Sequence, residues 1–126
     1  MSKAALIIAV LSLMAGIVIA DENAKPSQKE LYELKEKCKS KADEFVRKQE
    51  GYQGFFVEYD SHYNVEQSAC FVYIRRSKII ANGYINVYSL YDVDEKRQYD
   101  TLTFYSSTPE KEIQEFKGRI RPYMTE

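Results

Sequence analysis

The sequence predicts an α+β fold in which a long N-terminal helix packs on a four-stranded antiparallel meander, with a short helix at the C-terminus. Three observations lead to this prediction. Apolar residues recur every three or four positions between residues 27 and 50. They then alternate with other residues in four segments between residues 55 and 105. One cysteine lies in the helical part and one in the alternating part, so a disulfide can join the two.

The first twenty residues have the composition of a secretory signal peptide. Lys3 supplies a positive charge, residues 4–20 are apolar or small apart from Ser12, and a polar segment follows Ala20. These are the three parts of a cleavable signal, so we predict cleavage after Ala20 and a secreted or periplasmic protein. The alternative is an uncleaved anchor, although this apolar run lies at the short end of what spans a bilayer.

The remaining residues are enough for one domain. Residues 21–26 are polar and predict a flexible tether, and residues 27–126 predict a single α+β domain. Without Lys3, 17 of the 18 basic residues remain against 19 acidic ones, a formal charge of −2. A chain this close to neutral has no general attraction for nucleic acid or anionic lipid. We therefore expect no nucleic-acid partner, and contact with the membrane only through the signal peptide.

The chain has two cysteines, Cys38 and Cys70. An even number in an exported chain indicates a disulfide, and two cysteines allow one pairing. In the chain-entropy model a loop of this length is worth roughly 3.5–4 kcal/mol of stability. The alternative is a reactive thiol pair, but such pairs are usually close in sequence, as in C-x-x-C.

The first helix is predicted to begin after Pro26. Ser27 and Glu30 have the spacing of a capping box, and Gly51 is predicted to end the helix. Its apolar face is a single stripe, which is the pattern of a helix that packs on one side. The stripe consists of Leu31, Leu34, Cys38, Ala42 and Phe45.

The four alternating segments are rich in aromatic and β-branched residues, which is typical of strands. Their connections are short and contain turn residues, which implies an antiparallel meander. These turn residues are Asn64, Asn82-Gly83 and the segment 92–96. Thr108 and Pro109 then predict the start of the second helix, with Thr108 as the N-cap and the helix ending before Pro122.

The disulfide predicts which side of the sheet faces the long helix. If Cys38 lies on the buried stripe, Cys70 must point towards it, and alternation places Phe71 and Tyr73 on the opposite side. Residues opposite each other across an antiparallel pair share a face. The first hairpin is therefore predicted to pair Tyr59 with Ile74, Ser61 with Val72 and Glu58 with Arg75.

One stretch resembles a known group of proteins. Ser61-His62-Tyr63-Asn64, five residues, and then Cys70-Phe71-Val72-Tyr73-Ile74 resemble a pattern found in small exported bacterial proteins of unknown function. An upstream helical cysteine and the phrase Ser-Leu-Tyr-Asp-Val, here at 89–93, belong to the same resemblance, which covers residues 38–106. It implies export and an α+β fold, and no activity. The predicted fold also resembles a cystatin-like or other α+β roll, although the inhibitory Q-x-V-x-G type of loop is absent.

His62 is the only histidine, and Asp60 lies two residues before it. The two residue types suit an acid–base pair or half of a metal site, but no second ligand or free nucleophile is evident. We predict a structural role in the turn, so no catalytic residue, no metal and no cofactor are assigned. The acidic residues at 92, 94 and 95 lack the glycine of a calcium loop and are predicted to be solvated hairpin residues.

Tyrosine is the most informative residue type, with eleven in 126 residues. Alternation predicts an aromatic platform on the sheet face away from the long helix, suited to a protein or glycan partner. The alternatives are an ordinary half-exposed sheet face, or coverage by the C-terminal helix. The predicted platform consists of Phe71, Tyr73, Tyr84, Tyr88, Tyr99 and Tyr105.

These observations predict an exported, non-catalytic binding module that engages a protein or an envelope component. Two further hypotheses stay open. One is a structural or stress-related envelope protein without a discrete site, and the other is a small hydrolase that uses His62.

Overall fold

The computed structural model describes residues 25–125, and the predicted signal peptide lies outside them. The elements are α1 (Gln28–Arg47), β1 (Phe56–Asn64), β2 (Ala69–Ile80), β3 (Gly83–Asp92), β4 (Arg97–Tyr105) and α2 (Glu110–Met124). The strands form one antiparallel sheet in the order β1-β2-β3-β4, so the predicted α+β meander is confirmed. Within residues 25–125, no helix is long and apolar enough to cross a membrane.

The described residues belong to two units, one that ends at Leu31 and one that begins at Tyr32. In the first, the Ser27 hydroxyl accepts a hydrogen bond of 3.2 Å from the backbone N–H of Glu30, as half of the predicted capping box requires. The sheet, both cysteines and α2 belong to the second unit, to which the following description is confined.

The helix α1 packs on one face of the sheet, here called the α1 face. Cys38 and Ala42 of the helix are buried against Cys70, Val72 and Ile74 of β2. Cys38 and Cys70 form a disulfide, with their Cα atoms 5.3 Å apart, so the predicted pairing is confirmed. The disulfide thus joins the centre of α1 to the start of the inner strand β2.

The register of the first hairpin is the predicted one. Tyr59 lies opposite Ile74, Ser61 opposite Val72, and Glu58 opposite Arg75. The predicted pair of opposite charges is weaker than a neighbouring one, because the Arg75 guanidinium lies 3.8 Å from Glu58 but 2.8 Å from Asp60. Alternation along β2 therefore places side chains on the two faces as the disulfide requires.

The helix α2 covers the opposite face of the sheet, here called the α2 face. Phe116 and Ile120 of the helix are buried together with Phe71 of β2 and Leu90 of β3. The sheet is therefore enclosed by one helix on each face and has two separate apolar cores.

A bulge in β4 makes part of the predicted alternation wrong. Leu90 pairs with Asp100 and Tyr91 with Gln98, so Tyr99 is the extra residue in β4. Beyond the bulge, Tyr105 lies opposite Ile85 and therefore on the α1 face, not on the far face as predicted. A bulge changes the parity of every residue beyond it, which a strictly alternating pattern does not reveal.

Three of the predicted helix ends differ from the structure: the end of α1 and both ends of α2. The helix α1 ends at Arg47, four residues before Gly51. Thr108 does not cap α2, because its hydroxyl accepts a hydrogen bond of 2.9 Å from the backbone N–H of Tyr105. The helix α2 continues through Pro122 to Met124. The Asn64 side-chain amide donates to the Pro122 carbonyl oxygen at 3.1 Å and links this last turn to the end of β1.

Removing the disulfide is expected to destabilise the domain strongly. The variant in which Cys38 and Cys70 are both replaced by alanine should lose roughly 3–4 kcal/mol of unfolding free energy, because the unfolded chain regains the entropy of the closed loop. Urea denaturation measures this loss. Reducing agent should destabilise the wild-type protein and leave the double variant unchanged. Two freely titrating thiols in the native protein would contradict the account.

Candidate functional site

The predicted aromatic platform is mostly covered by α2. Phe71 is 0% exposed. Its ring lies 5.3 Å from that of Tyr123 in α2, and the Tyr73 ring lies 6.4 Å from that of Phe116. The prediction of an open platform that includes Phe71 is therefore wrong, because the apolar stripe of α2 buries itself on these rings. Coverage by the C-terminal helix, the alternative left open by the sequence, is the arrangement found.

The other predicted platform residues do not form one surface. Tyr88 is half-buried between Tyr73 and Phe104, whose ring centroids lie 5.8 Å and 4.8 Å from its own. Tyr84 and Tyr99 are exposed, but Tyr84 lies at the start of β3 whereas Tyr99 is in the bulge of β4. With Tyr105 on the α1 face, the exposed tyrosines are spread over separate parts of the sheet.

Tyr73 combines burial with an unsatisfied hydroxyl. Its oxygen is buried and has no hydrogen-bond partner among residues 25–125. Burial, reinforced by the neighbouring Tyr88, raises the pKa of the Tyr73 hydroxyl to about 12. The protonated, uncharged form is favoured because the phenolate would be separated from water.

Asp60, the acidic residue nearest to His62 in sequence, binds an arginine of the neighbouring strand. The Asp60 carboxylate binds the Arg75 guanidinium at 2.8 Å. His62 lies on the edge strand β1, opposite Phe71. The carboxylate nearest to His62 in sequence therefore forms an ion pair with the neighbouring strand.

The acidic residues of the third connection stabilise the turn. The Asp92 carboxylate accepts hydrogen bonds from the backbone N–H groups of Asp94 and Glu95, at 3.0 and 3.1 Å. Asp94 forms an ion pair of 2.7 Å with Lys41 of α1. Across residues 25–125, no group of three His, Cys, Asp or Glu side chains is placed to hold a metal ion.

The least expected feature of the sheet is a buried arginine. Arg76 lies in β2 between Val57 and Val87 of the neighbouring strands, and it is 1% exposed. Its terminal nitrogens, Nη1 and Nη2, are buried and have no hydrogen-bond partner in the part of the chain that the structure describes. A guanidinium without partners is costly to bury, because hydration is lost and no ion pair replaces it.

Tyr52 partly compensates this cost. The Arg76 guanidinium carbon lies 3.9 Å from the centre of the Tyr52 ring, a cation–π contact. Such a contact is worth about 2 kcal/mol when desolvated, less than a buried charge loses on leaving water. It leaves Nη1 and Nη2 without a hydrogen-bond acceptor among the described residues.

The loop between α1 and β1 positions Tyr52. Gly51 and Gly54 have φ angles of +87° and +83°, which glycine adopts without steric cost, so the chain turns sharply on both sides of Tyr52. The backbone N–H of Phe55 donates to the Tyr52 carbonyl oxygen at 3.2 Å, and the two rings meet edge to face. The loop thereby returns to the α1 face just beyond the end of α1.

A cleft of about 750 Å³ lies beside this arginine, and we call it the Arg76 cleft. It is bounded by the end of α1, the loop that follows and the adjacent strands. Its walls combine apolar side chains, neutral amides and one acid. The lining residues are Val46, Gln49, Glu50, Gly51, Tyr52, Gln53, Val57 and Arg76.

Sequence reasoning missed Arg76 because Arg75 and Arg76 together resemble the solvated end of a strand. The feature that identifies Arg76 is its even number of positions from Cys70 along the strand. Arg76 follows Cys70 by six positions, so both side chains point to the α1 face. Arg75 has the other parity and reaches Asp60 near the surface.

No protein-family model matches this chain, no curated protein is significantly similar to it, and no solved structure matches it significantly. The resemblance to small exported bacterial proteins and the cystatin-like interpretation therefore stay predictions. The geometry of the Arg76 cleft is the basis for the function proposed below.

Replacing Tyr73 with phenylalanine is expected to stabilise the domain and change its behaviour in alkali. At neutral pH the variant should gain up to about 1 kcal/mol, since a buried hydroxyl without a partner is removed. In the wild type the unfolded chain ionises near its ordinary pKa of about 10, before the folded one. Stability should therefore fall between pH 10 and 12, and Tyr73→Phe should reduce this fall.

Chemical denaturation from pH 7 to 12 measures both effects of Tyr73→Phe. The control is Tyr84→Phe, an exposed residue whose replacement should leave stability at neutral pH unchanged. A clear loss of stability in Tyr73→Phe at pH 7 would show that the hydroxyl has a stabilising partner and would contradict this account.

Proposed function

We propose that the chain is an exported, non-catalytic binding module that holds an anionic group of a protein or envelope component in the Arg76 cleft. The observation that carries this proposal is the pair of buried, unpartnered nitrogens on Arg76, next to a cleft large enough for part of a ligand. An anion bound there would supply the missing acceptors and convert a costly charge into a paired one.

The position of the candidate catalytic groups supports binding over catalysis. Both cysteines are joined in the disulfide, and the Asp60 carboxylate binds Arg75. His62 lies opposite Phe71 and lines a separate cleft of about 290 Å³ with α1 residues such as Glu36, and it does not line the Arg76 cleft. His62 lies five positions after Val57 along β1, roughly 16–17 Å away in an extended strand. The only histidine of the chain is thus remote from the Arg76 cleft.

Export is supported by two independent features. The disulfide between Cys38 and Cys70 is compatible with an oxidising environment outside the cytosol. The first twenty residues have the composition of a signal peptide. Together they favour a secreted or periplasmic location for the binding module.

The alternative functions predict different effects of replacing Arg76. A structural or stress-related envelope protein needs no ligand for this side chain, so replacing Arg76 would leave its associations intact. A hydrolase that uses His62 would lose activity on replacement of His62 and keep it on replacement of Arg76. Glycan stacking on the sheet is disfavoured because α2 covers the aromatic face.

Partner capture by matched variants tests the proposal. The exported protein is cross-linked in intact cells as wild type, Arg76→Met and Arg75→Met. We expect the same cross-linked partner with wild type and Arg75→Met, and at least a tenfold loss with Arg76→Met, since an unpaired partner anion costs about 1.5–3 kcal/mol. Equal capture by all three variants would overturn the proposal.

A further inference from the structure

We infer that the group bound in the Arg76 cleft is a single carboxylate carried beside an apolar side chain, as at the C-terminal end of a peptide with an apolar last residue. This inference rests on the function proposed above and specifies its ligand. Three properties of the cleft lead to it: the geometry of the free donors, the charge of the lining and the nature of the walls.

The geometry favours a planar acceptor with two oxygens. The Tyr52 ring centre lies 3.9 Å from the guanidinium carbon, and Nη1 and Nη2 are buried without partners among the described residues, so a ligand in the cleft meets them only when the side chains around them move aside. These two nitrogens form part of a rigid planar fork that matches the two oxygens of a carboxylate. A bidentate carboxylate would satisfy both nitrogens at once.

The charge of the lining favours a monoanion. Among the residues of 25–125 that line the cleft, Arg76 is the one cation and Glu50 is the one acid. A carboxylate carries one negative charge and balances the arginine. A phosphate carries a charge of about −1.5 to −2 and would add repulsion from Glu50 without a second cation to offset it.

The walls favour an apolar group next to the carboxylate. Val46 of α1 and Val57 of β1 line the cleft, and Val57 is 44% exposed. An apolar side chain placed on them would remove their surface from water. The side-chain amides of Gln49 and Gln53 also line the cleft and are neutral donors and acceptors suited to a peptide group.

Titration with N-acetyl-leucine tests the inference, since this molecule combines a carboxylate, a peptide group and an apolar side chain. Binding to the exported protein is followed by NMR through the side-chain N–H signal of Arg76 and the ring signals of Tyr52. We expect saturable shifts at both residues. N-acetyl-leucinamide, which lacks the charge, and inorganic phosphate should each bind at least about tenfold more weakly.

Variants separate this inference from a general electrostatic effect. Arg76→Lys keeps the charge but lacks the planar fork, so N-acetyl-leucine should bind about tenfold more weakly. Arg76→Met should abolish the shifts at Tyr52, and Arg75→Met should bind like the wild type. Arg76→Gln serves as a second neutral variant, and thermal unfolding confirms that each variant is folded.

The outcomes distinguish failure of the inference from failure of the proposed function. Absence of N-acetyl-leucine binding, or tighter binding of phosphate, overturns the carboxylate inference even if partner capture still depends on Arg76. Binding that persists in a folded Arg76→Met variant overturns the assignment of the site. Partner capture that is indifferent to Arg76 overturns the proposed function itself, whatever the small molecule does.

Discussion

The covalent bond between Cys38 and Cys70 is the constraint on which the rest of the structure depends. It holds the middle of α1 against β2 and so determines which parity of β2 faces that helix. A shift of the strand by one residue would turn every side chain to the opposite face, so the bond also excludes the wrong register. The same parity that buries Val72 and Ile74 directs Arg76 to the α1 face. The alternation of side chains along β2 that forms the core therefore also directs Arg76 towards α1.

The helix α1 ends before it can cover the whole of that face. Beyond Arg47 the chain turns at Gly51, and the loop brings Tyr52 over Arg76 instead of an apolar helical residue. At this end of the α1 face, the Tyr52 ring lies over Arg76 and the cleft beside it is open. At the centre of the face, packed aliphatic side chains cover the sheet. The candidate site lies where regular packing gives way to a loop.

Local patterns in the sequence were sufficient for most of the fold. The apolar stripe of α1 and the pairing of the cysteines predicted the first hairpin register, including Tyr59 opposite Ile74. The bulge at Tyr99 was not predictable, because an extra residue in a strand leaves the alternating pattern locally intact. Coverage of Phe71 by α2 depends on where a helix docks, which periodicity does not specify.

The candidate site was the least predictable part. The number of tyrosines predicted an aromatic site, but most of the α2 face is an apolar core buried under α2. Arg76 was overlooked because its sequence neighbour Arg75 makes the pair look solvated, although only Arg75 finds acidic partners. The residue type alone does not indicate whether a side chain is buried. An even number of positions from a disulfide cysteine on the same strand does indicate it, because the two side chains then share a face.

The unfolding free energy of Arg76→Met tests the central claim most directly. Methionine has a similar length and no charge, so removing a buried cation without partners should raise stability by about 1–3 kcal/mol, after the loss of the contact with Tyr52 is included. Arg75→Met, the matched control on the other face, should be slightly destabilised through its ion pair with Asp60. A marked loss of stability in Arg76→Met would show that Arg76 supports the fold, and would contradict a charge held ready for a ligand.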